Sequence, residues 1–111
     1  NDTCGHLAGD RALLEVAQRL LSALRDKEIA GRIGGDEFVA LLRDVPTPAD
    51  LARRVEHIRS VLSFPIGCGL AVSVSLGSAV FPDDGETYLD LFRRADAAMY
   101  ADKKRSRARK A

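Results

Sequence analysis

Two consecutive glycines, Gly34 and Gly35, separate two short runs of strand-forming residues and constrain the fold of this 111-residue chain more than any other feature. The runs cover residues 29–33 and 37–42. A Gly-Gly pair supplies the positive φ angles that a tight β-hairpin turn requires. The sequence therefore predicts an antiparallel hairpin with Gly34 and Gly35 at its turn.

Helical patterns lie on both sides of this hairpin. Residues 10–27 repeat apolar side chains with a period of 3.6, and a similar pattern runs from about residue 87 to 105. Another helix is predicted to begin at Thr47, where a capping threonine precedes Pro48 and an acid, Asp50, follows three residues on. Its expected buried face consists of Leu51, Val55, Ile58 and Leu62.

Residues 71–76 alternate between apolar and polar side chains, which predicts a strand that continues through residues 77–81. The order helix, hairpin, helix, strand, helix is typical of an α+β fold in which helices cover one face of an antiparallel sheet. It is similar to a ferredoxin-like or nucleotidyl-cyclase-like unit without its first strand. Nine residues before the first helix are too few for that strand, so we expect the sheet to be incomplete.

Composition restricts the class of protein. Hydrophobic residues make up 46% of the chain, enough for one packed domain over residues 1–111. The sequence has no uncharged apolar run of about 18 residues, so no membrane span is predicted. The first residues do not resemble a signal peptide. Cys4 and Cys68 lie far apart, which suits two free thiols in the cytoplasm, although a bridge between them stays open. We therefore expect a cytoplasmic domain without direct membrane contact.

The net charge of +1 hides an uneven distribution. Six of the 17 basic residues lie between positions 103 and 110, whereas all 16 acidic residues come earlier. The first 102 residues thus carry −5, and the basic tail, residues 103–111, carries +6. Such a tail favours either contact with phosphates or a solvated helix end.

Two acids, Asp36 and Glu37, follow the glycine pair directly. Glycines without Cβ atoms let a bulky anion approach the backbone, and carboxylates beside a phosphate require a cation between them. Mg²⁺ is commonly held by one or two carboxylates together with substrate phosphates. Because neighbouring strand residues point to opposite faces, we expect the two acids to differ in role. The alternative is an ordinary hairpin with solvated acids.

The run GGDEF at residues 34–38 is the signature of the GGDEF family of diguanylate cyclases, and three more segments resemble that family. NDTCGHLAGD at residues 1–10 is similar to its N-D-x-x-G-H-x-x-G-D motif. VSVSLGSAV at 72–80 resembles T-x-S-x-G-x-A, and ADAAMYADKKRSR at 95–107 resembles A-D-x-A-L-Y-x-A-K-x-x-G-R. The resemblance spans essentially the whole chain, but the family's first strand, with a metal-binding Asp and a nearby Lys, is expected to be missing.

The resemblance implies a diguanylate cyclase that condenses two GTP molecules into cyclic di-GMP and releases pyrophosphate. It implies Mg²⁺ or Mn²⁺ as cofactor, Asp36 as metal ligand and base, and Glu37 as its partner. Gly34 and Gly35 would contact the substrate. Each domain would hold one GTP, so catalysis would need a symmetric homodimer. A fused sensory or regulatory domain is the expected partner, and without the metal-binding Asp of the first strand this chain alone is expected to be inactive.

Further binding residues follow from the same resemblance. Asn1 and Asp10 would bind the guanine base, and His6 would line the nucleotide pocket. Lys103 and Arg107, four residues apart on the last helix, would bind phosphates. The alternatives are an N-cap role for Asp10 and a solvated loop position for His6.

The segment Arg25-Asp26-Lys27-Glu28 resembles the family's R-x-x-D product-inhibition site, with Glu28 in place of Asp. Arg25 and Glu28 are therefore candidates for binding cyclic di-GMP as an inhibitor. The alternative is an exposed helix end with no ligand.

Two other functions compete with catalysis. One is a catalytically inactive regulatory GGDEF domain that binds GTP or cyclic di-GMP. The other is a ferredoxin-like RNA-binding module, which would need exposed aromatic residues on its strands. The predicted strands offer only Phe38 and Phe81, so we expect no nucleic-acid partner.

Overall fold

The computed structural model describes residues 8–67 and 69–110. They form two compact units, Asn1–Ser73 and Val74–Ala111, each considered by itself below. In chain order the elements are α1 (Ala8–Ala23), β1 (Ile29–Gly34), β2 (Glu37–Leu41), α2 (Pro48–Val61), β3 (Phe64–Gly67), β4 (Leu70–Val72) and α3 (Tyr88–Lys110). Helices and antiparallel strands in this order confirm the predicted α+β class.

The predicted hairpin is present. β1 pairs antiparallel with β2, in a register that places Ile29 opposite Leu41 and Arg32 opposite Phe38. The register shifts between Arg32 and Gly34, where β1 accommodates one extra residue before the turn. Both strand boundaries lie within one residue of those predicted from the sequence.

The start of α2 is also as predicted. The Thr47 hydroxyl accepts a hydrogen bond from the Asp50 amide at 3.1 Å and donates one to the Asp50 carboxylate at 2.7 Å. Pro48 is the first helical residue, where its missing N–H costs nothing. Three local signals within four residues therefore mark this helix start.

The core of the first unit lies between α1, α2 and β3. Its buried side chains are Val16, Leu20, Ile58, Leu62 and Phe64. Arg19 of α1 stacks over the Phe64 ring, 4.2 Å from its centroid, and donates to the Val61 carbonyl at 3.0 Å. This arginine thus ties α1 to the end of α2 and the start of β3 through both a cation–π contact and a hydrogen bond.

The second half of the sheet prediction was only partly right. Strand β4 ends at Val72, and residues 73–80 carry no regular secondary structure. Instead β4 pairs with β3, a strand that the sequence analysis did not predict. Alternation of apolar residues indicates a half-buried extended segment, but a strand also needs a hydrogen-bonding partner.

In the second unit, an extended segment packs on α3 through a glycine. A Cβ atom on Gly77 would lie 2.0 Å from the Ala95 carbonyl oxygen and 2.3 Å from the Met99 nitrogen, so only glycine fits. The buried carboxylate of Asp102 accepts a hydrogen bond from the Leu76 amide at 2.9 Å. α3 continues to Lys110, five residues beyond the predicted end at 105.

The first helix differs from its prediction at both ends. α1 already includes Ala8, so Asp10 lies in the first helical turn and the alternative of an N-cap at Asp10 was wrong. The helix ends at Ala23 rather than near Lys27, which adopts a left-handed conformation with φ of 67°. Within the part of the chain that the structure describes, no helix combines the length and apolar character needed to cross a membrane.

Candidate active site at the hairpin tip

The hairpin tip, residues 34–37, has a two-residue loop. Gly34 pairs with Glu37, which leaves Gly35 and Asp36 as the loop residues. Gly34 has φ of 154° and Gly35 has φ of 48°, so the predicted positive φ angles are confirmed at both positions. The loop itself lies one residue further along the chain than the Gly-Gly pair alone suggests.

Both acids of the tip are exposed. Asp36 is in the turn, whereas Glu37 is the first residue of β2. The expectation that strand alternation separates their roles therefore does not apply, because it requires both residues to lie in a strand. Among residues 8–67 and 69–110, neither carboxylate forms an ion pair, so both oxygen pairs are available to a ligand.

The glycines at the tip are needed for backbone conformation rather than for tight packing. A Cβ atom placed on Gly34 or Gly35 would have no described atom within 4 Å. The positive φ angles nevertheless disfavour any side chain at these positions. Gly34 and Gly35 therefore leave open space beside the backbone of the turn.

One side chain secures this turn. The Arg32 Nε atom donates a hydrogen bond to the Gly35 carbonyl oxygen at 2.6 Å. Arg32 lies opposite Phe38 in the ladder, so the bond crosses the register irregularity beside Gly34. The conformation of the loop is therefore coupled to an arginine to which the sequence analysis gave no role.

The donor set of the tip fits a magnesium ion. Asp36 and Glu37 supply hard carboxylate oxygens, which Mg²⁺ prefers, and both are exposed. No group of three or more His, Cys, Asp or Glu side chains capable of holding a metal occurs among the described residues. A site of this kind suits Mg²⁺ shared with substrate phosphates, because that ion usually needs only one or two protein carboxylates.

The hairpin base is a second cluster, formed by Glu28, Arg54 and the amides of Arg25 and Arg43. The Glu28 carboxylate accepts two hydrogen bonds from the Arg54 guanidinium, at 2.6 and 3.0 Å. It also accepts from the Arg25 amide at 2.7 Å and the Arg43 amide at 2.9 Å. The alternative of an exposed helix end is therefore wrong for Glu28, whose side chain is only 1% exposed.

The electrostatics of the base follow from this geometry. The hydrogen bonds from Arg54, and secondly those from the Arg25 and Arg43 amides, outweigh burial and lower the pKa of Glu28 from 4.5 to about 2. The carboxylate in turn raises the pKa of Arg54. The pair is consequently ionised at every physiological pH.

A cavity of about 200 Å³ lies beside this cluster. Its lining residues are Arg25, Asp44, Val45, Pro46, Asp50, Arg53 and Arg54. The hydroxyl of Thr47, and after it the contact with Arg53, lower the pKa of Asp50. Two of its three arginines are paired, Arg53 with Asp50 and Arg54 with Glu28, so Arg25 is the lining arginine that remains a candidate for contact with an anionic ligand.

The comparisons with known proteins decide the family. Residues 1–109 match the profile described as "Diguanylate cyclase, GGDEF domain". The chain belongs to the GGDEF family. The hairpin tip is thus the signature segment of a GGDEF domain, and its two acids occupy the positions that give the family its name.

Relatives support the same assignment. This GGDEF domain is 36% identical over 111 residues to diguanylate cyclase TpbB of Pseudomonas aeruginosa, covering 96% of this chain and 26% of TpbB. It is 40% identical over 110 residues to the bifunctional diguanylate cyclase/cyclic di-GMP phosphodiesterase MucR of the same species, covering 96% and 16%. The chain therefore spans about a quarter or less of these relatives.

A solved structure gives the same result for the fold. The crystal structure of a sensory box/GGDEF family protein from Caulobacter crescentus superimposes with a TM-score of 0.79 at 40% identity. The match covers 94% of this chain and 69% of that one. The chain thus shares its fold with a solved structure of the GGDEF family.

The other predicted binding residues lie away from the tip in sequence. Asp10 is exposed on α1. Lys103 is exposed on α3 in the second unit, and the same helix includes Arg107, so their four-residue spacing is helical as predicted. Asn1 and His6 lie outside the described residues.

The sequence analysis of this GGDEF domain missed two residues, Arg32 and Arg54. The position of Arg32 two residues before the signature was a usable signal, because an arginine at that distance from a glycine turn can reach the carbonyls of the turn. Arg54 gave no such signal. It lies 26 residues from Glu28, and only folding brings the two together.

Proposed function

We propose that this chain is the catalytic domain of a diguanylate cyclase, which condenses two GTP molecules into cyclic di-GMP and releases pyrophosphate. The observation that carries the proposal is the bare hairpin tip, which presents Asp36 and Glu37 beside two glycines of positive φ. The family match over residues 1–109 supports it. Activity of the complete protein is part of the proposal, because the relatives are much longer.

Asp36 and Glu37 would hold Mg²⁺ or Mn²⁺ at the tip. When bound, such an ion supplies charge neutralisation at the reacting phosphates. Asp36 would accept the proton of the ribose 3′-hydroxyl of one GTP. The 3′-oxygen then forms a bond to the α-phosphorus of the other GTP, whose bond to pyrophosphate breaks; two such steps close the ring.

The remaining substrate contacts are assigned by resemblance. Gly34 and Gly35 let the triphosphate approach the backbone. Asn1 and Asp10 would bind guanine, with His6 lining the pocket. Lys103 and Arg107 would neutralise the phosphates as cations on one helix. Since the product has two-fold symmetry, two copies of the domain would face each other, each with one GTP.

The direct test measures cyclic di-GMP formed from GTP and Mg²⁺ by chromatography, at protein concentrations where the complete protein is dimeric. Asp36→Ala should reduce the rate by at least about 100-fold, because it removes the charge on which metal and proton transfer depend. Asp83→Asn, in an exposed turn of the second unit, is the matched control and should retain the wild-type rate. Product formation by Asp36→Ala at the wild-type rate would refute the assignment.

At the hairpin base, a second role is favoured by the cavity next to Arg25. We infer that cyclic di-GMP binds there as an inhibitor through Arg25, a planar donor suited to guanine and phosphate. Glu28 would act as a support, because both of its carboxylate oxygens already accept two hydrogen bonds each. Arg25→Ala should weaken cyclic di-GMP binding in calorimetry while GTP turnover persists. Unchanged cyclic di-GMP affinity in this variant would contradict the inference.

The same cavity favours an alternative function, an inactive regulatory domain that binds nucleotide without turnover, because nucleotide binding there would not require catalysis. Calorimetry separates the two functions: tight binding of GTP or cyclic di-GMP with no product from the complete dimeric protein would favour regulation. A fused sensory or regulatory domain and a cytoplasmic location are part of the proposal in either case.

A further inference from the structure

Beyond the signature acids, Arg32 has a geometry that the catalytic proposal leaves unexplained. Its Nε atom donates to the Gly35 carbonyl at 2.6 Å although the side chain is exposed. Among the described residues, this is the one side-chain hydrogen bond to residues 34–37. An exposed arginine usually keeps its side-chain freedom, so a short bond to a specific carbonyl indicates a conformational role.

The turn needs such a restraint. Gly34 and Gly35 adopt φ angles of 154° and 48°, and a Cβ on either would touch no described atom. Glycines populate many backbone conformations at similar energy, and neither packing nor side-chain sterics selects one at this tip. The Gly35 carbonyl belongs to the peptide group that continues into Asp36. A bond to this carbonyl therefore fixes the orientation of the peptide plane that carries the Asp36 amide.

We propose that Arg32 is a positioning residue, which sets the Gly35–Asp36 peptide plane before nucleotide binds and so places the Asp36 carboxylate for the substrate's cation and phosphates. The inference rests on the proposed function for its catalytic consequence. Its structural half, the preset turn, is independent of that function. Because the restraint exists without ligand, loss of Arg32 should weaken nucleotide binding through the cost of ordering the tip.

The chain offers a pair of substitutions that separates the hydrogen bond from the charge. In Arg32→Gln, the amide nitrogen takes the place of Nε at the same number of bonds from Cα, so the donor stays and the charge goes. Arg32→Met has a similar length and neither donor nor charge. Arg32→Lys keeps the charge without a planar Nε–H. Arg43→Met, an exposed arginine at the other end of the hairpin, is the matched control.

The first measurement uses the nucleotide-free chain. NMR of the Gly35 carbonyl ¹³C and Asp36 amide ¹⁵N shifts, with heteronuclear relaxation at both residues, reports the turn directly. Wild type and Arg32→Gln should show an ordered tip and similar shifts, whereas Arg32→Met should show shifted and more mobile resonances. Identical spectra and relaxation at Gly35 and Asp36 in wild type and Arg32→Met would overturn the proposal, whatever the protein's activity.

The second measurement is calorimetric titration with GTP and Mg²⁺. Arg32→Met should bind about five- to tenfold more weakly than wild type, the loss expected for one hydrogen bond, while Arg32→Gln stays within about twofold. Arg43→Met should bind like wild type. Equal loss in Arg32→Gln and Arg32→Met, with full affinity in Arg32→Lys, would show that charge alone matters and would overturn positioning. Failure of the complete wild-type protein to bind GTP would instead refute the proposed function, and the NMR result would still test the conformation of the turn.

Discussion

The two ends of the β1–β2 hairpin are built in opposite ways. At the base, one buried carboxylate, Glu28, accepts four hydrogen bonds from Arg54 and two backbone amides. At the tip, Gly35 and Asp36 are exposed, and a single side-chain bond from Arg32 secures them within the described residues. The comparison shows that the buried hydrogen bonds of this hairpin lie at its base, whereas the exposed acids of the signature lie at its tip. Substitutions at the base should cause the largest changes in the free energy of unfolding, and those of the tip acids should mainly change nucleotide binding and turnover.

The largest expected effect tests the base. Glu28→Ala should lower the free energy of unfolding by about 3 kcal/mol, because Arg54 and two amides lose their acceptor in a buried site. Urea denaturation followed by circular dichroism measures the change. The matched control is Glu56→Ala on α2, whose exposed ion pair with Arg59 at 3.2 Å should contribute less than about 1 kcal/mol. Equal losses in the two variants would show that the buried cluster around Glu28 stabilises the fold no more than an exposed ion pair does.

Low pH should remove the stability that the Glu28 cluster at the hairpin base contributes. The pKa of Glu28 is lowered to about 2 in the folded chain from a usual value of 4.5. A carboxyl group with a depressed folded pKa contributes stability that is present above pH 4.5 and is lost as the pH falls towards 2. The difference in unfolding free energy between wild type and Glu28→Gln should therefore be constant from pH 7 to about 5 and shrink below 4.5. Urea midpoints measured across this range, with a difference that does not shrink, would contradict the assignment.

Local signals made part of this molecule predictable from its sequence. The start of α2 needs only Thr47, Pro48 and Asp50, and the hairpin needs only its glycines and flanking strands, so both were predicted within about one residue. The position of Asp36 and Glu37 at the tip could be predicted as well, because both residues come directly after the glycine pair. Interactions between residues close in sequence leave a local sequence pattern, which can be recognised without knowledge of the fold.

The elements that were not predicted lack a clear signal in their own residues. Strand β3 covers only four residues and contains Pro65, which has no N–H to donate to a neighbouring strand. Both features disfavour the prediction of a strand, and β3 forms because β4 pairs with it. The Glu28–Arg54 pair joins residues 26 apart, and its acid was instead considered as a ligand-binding residue. The end of α1 was missed because Lys27 turns left-handed just before Glu28. Of these three, only the Glu28–Arg54 pair depends on a partner distant in sequence, whereas β3 pairs with the neighbouring β4.

The next effect tests why the tip carries glycine. Gly35→Ala should cost about 1 kcal/mol of stability, because alanine is strained at φ of 48° although no described atom lies close enough to clash. Gly31→Ala is the control on the same hairpin: Gly31 has no positive φ and open surroundings, so alanine should stabilise by about 0.5 kcal/mol. Thermal and urea unfolding of both variants measure the opposite signs. Stabilisation by both would show that conformation does not require glycine at the tip.

The smallest effect concerns strain at the base. Lys27 and Asp44, the residues next to Glu28 and Arg43 in sequence, have φ angles of 67° and 56°. A non-glycine residue in this region costs about 1–2 kcal/mol, and glycine recovers that while losing about 0.5–1 kcal/mol to unfolded-state entropy. Lys27→Gly should therefore raise the free energy of unfolding by about 0.5 kcal/mol, and Asp44→Gly by less, because aspartate tolerates this conformation better.

Lys27→Ala is the control for this prediction, since alanine keeps the strain and should give no gain. Urea denaturation at a fixed slope measures all three variants. If Lys27→Gly gained no more than Lys27→Ala, the left-handed residue would carry no recoverable strain. A gain confined to Lys27→Gly would show that the hairpin base tolerates backbone strain at Lys27. The four hydrogen bonds to Glu28 hold the backbone in that conformation. The tip, with its single side-chain hydrogen bond from Arg32 among the described residues, does not have this support.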